Sequence, residues 1–133
     1  MTLNFLQRRK ILKATNSLDL IPVRVSSFET SESGLVTLLI PKFKNEKFAN
    51  WFIPKSRSLV YKVSLDEIGS ALWLESDGLK TVYDISNILG EKFKERINPE
   101  PEKRIGKFMS SLYENRYITF KQLIKENEIN NKQ

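Results

Sequence analysis

Residues 66–88 read DEIGSALWLESDGLKTVYDISNI, two helices with their own start signals joined by one tight turn. Asp66 is an N-cap by type, because its carboxylate accepts from the free N–H groups of a first helical turn. Ile68, Ala71 and Leu72 then fall on one helical face. Ser76-Asp77-Gly78 stops that helix, with Gly78 supplying the positive φ that a sharp reversal needs. Thr81 opens the next helix, and Asp84 three residues on makes a capping box with the shorter acid. Val82, Ile85, Leu89 and Phe93 line its inner face. The rest of the chain must cover these two faces or use them.

Upstream, residues 59–65, LVYKVSL, alternate Leu59, Tyr61, Val63 and Leu65 against Val60, Lys62 and Ser64, which predicts a strand running straight into Asp66. Residues 22–29, PVRVSSFE, predict a half-buried strand, with Phe28 less regular than Val23 and Val25. Residues 30–34 are a turn by composition, and residues 35–40, LVTLLI, complete a hairpin that Pro41 ends. Residues 42–58 interleave Phe43, Phe48, Trp51, Phe52 and Ile53 with lysines and arginine. A short helix over about residues 45–52, its aromatics capping the core, outweighs a nucleic-acid stacking surface there. At the N-terminus, residues 1–16 set Leu3, Phe5, Leu6, Ile11 and Leu12 among basic residues, the pattern of a short amphipathic helix or docked arm.

Downstream, Pro99 and Pro101 suit the opening of a third helix, with Glu100 and Glu102 at the positive end of its dipole. Ile105, Phe108, Met109, Leu112 and Tyr113 recur at helical spacing and give it a wide apolar stripe. Residues 117–120 are a final strand or extended lid, and residues 121–133 a polar tail. The expected fold is α+β and winged-helix-like: a three-stranded antiparallel sheet followed by a three-helix, helix-turn-helix bundle. The expected division is an arm over residues 1–21, a domain over 22–120 with an insertion at about 43–58, and a tail over 121–133.

Composition removes much chemistry. A chain of 133 residues holds one small core, and it contains no cysteine and no histidine. Disulfides, thiolate nucleophiles, Ser-His-Asp sites and the usual zinc sets are thereby excluded, and the carboxylates mostly explain themselves as helix caps. Neither catalysis nor a cofactor is expected. The net charge of +6 is unevenly spread. Residues 1–64 carry eleven lysines and arginines against four acids, a surplus of seven, whereas residues 65–133 carry eleven against twelve. The helix-turn-helix is therefore not where the positive charge lies. No run reaches transmembrane length, and Arg8, Arg9 and Lys10 precede no apolar signal core, so the expectation is a cytoplasmic protein without membrane contact.

Three segments, LLIPK at residues 38–42, VSLDEIGSALWLESDGLKTVYDI at 63–85 and FMSSLYENRYI at 108–118, resemble the coenzyme PQQ synthesis protein D family. These PqqD-like peptide chaperones are also called RiPP recognition elements. The resemblance spans about residues 36–118 and involves no catalytic motif. It implies a module that binds the leader of a ribosomally made precursor peptide and delivers it to a modifying enzyme, typically a radical SAM protein. In such domains the leader is similar to an added strand. Carried over by position, the strand edge is Val60, Tyr61, Lys62, Val63, Ser64 and Leu65, and the groove wall comes from Lys103, Arg104, Lys107 and Phe108. Two departures stand out: the insertion at about residues 43–58, and Arg116 where the family has a glycine, which leaves Asn115 as the expected left-handed residue.

A second reading is a winged-helix DNA-binding regulator, but its recognition helix should be basic. Glu100, Glu102 and Glu114 instead balance Lys103, Arg104 and Lys107. A third is an assembly subunit that dimerises through Trp51 and Phe52.

Overall fold

The computed structural model describes residues 4–41 and 60–124. The expectations for residues 42–59, Trp51 and Phe52 included, and for residues 125–133 lie outside the described residues. What is described is a mixed α+β protein with a three-stranded antiparallel sheet, a two-stranded sheet and four α-helices. These divide into two compact units, residues 26–70 in one and residues 1–25 with 71–133 in the other.

In the smaller unit, β2 (Ser27–Thr30), β3 (Val36–Pro41) and β4 (Val60–Ser64) form the antiparallel sheet in the order β2-β3-β4. The β2–β3 turn closes through the Gly34 N–H donating to the Ser31 carbonyl at 3.0 Å. Val36 and Leu38 are fully buried and anchor β3. Leading out of β4, Asp66 caps α2 (Glu67–Glu75): its Oδ1 accepts from the Gly69 N–H at 2.7 Å, as the sequence predicts.

In the larger unit, α1 (Phe5–Ala14) is closed by a capping box between Asn4 and Gln7 and buries none of its residues. A 3-10 turn (Ser17–Asp19) leads to β1 (Pro22–Arg24). The predicted box of Thr81 and Asp84 opens α3 (Val82–Phe93), with both reciprocal hydrogen bonds formed, and Val82, Ile85, Leu89 and Phe93 are all buried. Burying an aliphatic or aromatic side chain of this size contributes about 1.5–3 kcal/mol, so this face outweighs the cap that starts it. Next come α4 (Pro101–Glu114), with Ile105, Met109 and Leu112 buried against α3, and β5 (Ile118–Phe120). The core of this unit also takes Leu20, Leu72, Trp73 and Leu123.

Residues 22–29 are two strands rather than one. β1 pairs antiparallel with β5, Val23 opposite Thr119, while β2 pairs with β3, Phe28 opposite Leu38. The physical reason is visible in the residues: Val23 and Val25 share one phase of the two-residue alternation and Phe28 the other. The β1–β5 ladder extends to the Val25 N–H, which donates to the Tyr117 carbonyl at 3.0 Å. Residues 117–120 are thus a paired strand and not a lid. The left-handed residue after α4 is Arg116 (φ 65°), not Asn115 (φ −83°). Arg116 N–H donates to the Tyr113 carbonyl and Tyr117 N–H to the Leu112 carbonyl, the paired bonds of a Schellman C-terminus, and they put the reversal one residue later.

Candidate functional site

β4 lies at the outer position of its sheet, and among the described residues no strand pairs with its far side. Leu65 N–H donates to the Val36 carbonyl at 2.9 Å, which fixes the phase of the β3–β4 ladder. Residues opposite one another alternate between exchanging hydrogen bonds and not doing so. Val63 opposite Leu38 therefore faces β3 with its N–H and C=O, while Lys62 opposite Leu39 and Ser64 opposite Thr37 turn theirs outward. Pro41 opposite Val60 fits the same phase, since a proline has no N–H to offer β2 beyond the end of that strand.

From Lys62 to Leu65 the side chains follow the pleat, and Tyr61 departs from it. Val63 and Leu65 are half-buried, whereas Lys62 and Ser64 are exposed and Tyr61 is 59% exposed. Lys62 Nζ lies 3.7 Å from Glu29 Oε1 across the polar face, with both side chains more than half exposed. A solvent-screened pair of this kind contributes at most about 1 kcal/mol and holds Lys62 only loosely.

One hydroxyl shapes the end of this edge. Ser70, 2% exposed, accepts from the Val36 N–H at 2.8 Å and donates to the Leu65 carbonyl at 3.3 Å. It thus bridges two groups that would otherwise bond each other directly, at the point where β4 gives way to α2. The serine is five residues beyond its acceptor and makes no recognisable local pattern, so sequence reasoning had no signal for it.

The helical part of the expected site lies on α4 in the larger unit. Lys103 and Lys107, one turn apart, line a shallow depression of about 450 Å³ with Glu102, Gly106, Ser110 and Glu114. Lys103 Nζ is 3.9 Å from Glu100 Oε2, and Phe108 is half-buried. Arg104 donates to the Arg96 carbonyl at 3.1 Å, so its guanidinium braces the approach to α4 rather than standing beside the two lysines.

The remaining charge cluster is structural. Lys80 Nζ sits 2.7 Å from Asp77 Oδ2 and 3.2 Å from Glu75 Oε2 at the α2–α3 turn. Its hydrogen bond holds the Asp77 carboxyl below the usual value, and the same bond, with the one to Glu75, holds the Lys80 ammonium above its own. Asp77 Oδ1 also accepts from the Leu79 N–H, and Gly78 at φ 81° donates to the Pro22 carbonyl. Among the described residues no three acidic or other ligating side chains gather to hold a metal ion, and no helix is long and apolar enough to cross a membrane. In comparisons with known proteins, the chain matches no family model, no curated sequence and no solved structure.

Proposed function

We propose that this chain is a non-catalytic peptide-binding module that takes an extended peptide along β4 by strand addition. The observation that carries the reading is the outward direction of the Lys62 and Ser64 backbone groups on the outer strand of the sheet. An extended chain gains main-chain hydrogen bonds from such an edge, and flanking side chains select its sequence. The order of elements, β2, β3 and β4 followed by α2, α3 and α4, agrees with a winged-helix-like arrangement of the PqqD kind. In that role the peptide is the leader of a ribosomally made precursor, and the recipient is a peptide-modifying enzyme, a radical SAM protein above all. Lys62, exposed on the strand itself, would favour a leader carrying an acidic side chain beside that edge. The non-catalytic part of the reading rests on composition, a chain without histidine or cysteine.

A labelled leader peptide encoded beside this gene should bind saturably at micromolar concentration or tighter, read by fluorescence anisotropy. Lys62→Pro removes an outward N–H without touching the β3 ladder, and should weaken that binding by about tenfold or more while the fold persists. Salt-dependent binding to duplex DNA with no affinity for any neighbouring leader would favour the regulator instead. The charge balance of α4 speaks against it, since Glu100, Glu102 and Glu114 offset Lys103, Arg104 and Lys107.

A further inference from the structure

Within the larger unit a second concavity, about 600 Å³, opens between α1, the end of α4 and β5. Phe5, Leu12, Val25, Tyr113 and Ile118 give it an apolar lining, and two of these stand open for their type: Phe5 is 65% exposed and Val25 60%. Arg8, Arg9 and Arg116 line it as well, against the single acid Glu114. Even where that carboxylate neutralises one cation, the lining keeps a surplus of positive charge. α1 adds to it, because Lys10 and Lys13 lie on the same helix and no acid does.

We propose that this cleft docks an acidic segment of a partner protein, one bulky apolar side chain seated on the apolar lining and its flanking carboxylates held by Arg9 and Arg116. Guanidinium is the cation suited to this, since its planar fork takes a carboxylate through two parallel hydrogen bonds and it sheds water more readily than an ammonium. An apolar anchor among cations is also the arrangement in which a few side chains carry most of the binding energy. The concavity separates this occupant from an anionic lipid surface. A bilayer lies across convex helix faces, whereas here Phe5 and Leu12 line a hollow. The cleft is built from elements other than β4, so it stands independently of strand addition there.

The test uses the full chain and a fluorescent synthetic peptide with one phenylalanine flanked on both sides by glutamates, beside the same peptide with glutamines in their place. The glutamate peptide should bind saturably and be displaced by salt, and the glutamine peptide should bind about tenfold more weakly or worse. Arg9→Glu, on an exposed helix face, should weaken binding by about tenfold. Arg116→Gly relieves a left-handed backbone while deleting the charge, so it should weaken binding without loss of fold. Phe5→Ser should weaken it as well, and Lys62→Pro should leave it unchanged. Equal binding of the two peptides, no saturable binding of either, or indifference to the arginine substitutions overturns the proposal. Binding to phosphatidylserine vesicles without binding to the glutamate peptide overturns it in favour of a lipid surface.

Discussion

At the scale of single residues, the positions that matter most here are small polar ones with more than one partner. Ser70 is buried and holds both the Val36 N–H and the Leu65 carbonyl. Ser70→Ala leaves a buried donor without its acceptor and should lower the unfolding free energy by about 1–3 kcal/mol in chemical denaturation. A loss near zero would mean that Val36 and Leu65 close onto each other once the hydroxyl is gone. Asp77 gives a pH-dependent case. Its carboxyl is held below the ordinary 3.8 by the hydrogen bond from Lys80. A depressed folded-state value contributes stability that is present above the unfolded value and lost as pH falls through the folded one. The stability difference between the native chain and Asp77→Asn should therefore be full at neutral pH and shrink as pH falls below about 4. A difference that stays constant down to acid pH would contradict that assignment. Residues of this kind divide in how far the sequence revealed them. Asp66, Thr81 and Asp84 act within three residues of their partners, so type and spacing sufficed. Ser70 on α2 acts on Val36 of β3, far away in sequence, and nothing local marks it.

At the scale of elements, helices were readable because their signals are local and periodic, and the pairing of the short strands was not. α3 begins and buries its face as its residues predict. β1 and β5 are three residues each and lie far apart in sequence, Pro22 opposite Phe120, so neither has a pattern long enough to announce its partner. The single strand read over residues 22–29 broke for the same reason, its phase shift between Val25 and Phe28 being the one hint of two sheets. α4 offers a direct test of element energetics. Gly106 lies within it, and an added Cβ would meet no atom within 4 Å. Gly106→Ala should accordingly stabilise the protein by about 0.5–1 kcal/mol through helix propensity alone. Destabilisation would mean that α4 departs from regular helix at that point. The same substitution fills little of the depression between Lys103 and Lys107, so any loss of peptide binding there would mark close backbone approach at Gly106.

At the scale of the whole molecule, the α+β class and the order of the sheet and of the helices from α2 to α4 were legible, because the capped helices and the strand entering Asp66 dictate them. The division into two compact units, the β1–β5 sheet and the cleft beside α1 were not, since each depends on which distant segments meet. The candidate edge was legible as a strand, but its direction was not. Only the register, with Leu65 bonded to Val36, assigns Val63 inward and Lys62 and Ser64 outward. That alternation supplies the most direct test of strand addition on β4. Amide hydrogen exchange should be followed residue by residue with and without saturating leader peptide. Strand addition on β4 predicts that the Lys62 and Ser64 amides gain protection on binding, while the Val63 amide, already turned to β3, changes little. Bound peptide with unchanged exchange at Lys62 and Ser64, or protection gained at Val63 instead, would contradict it.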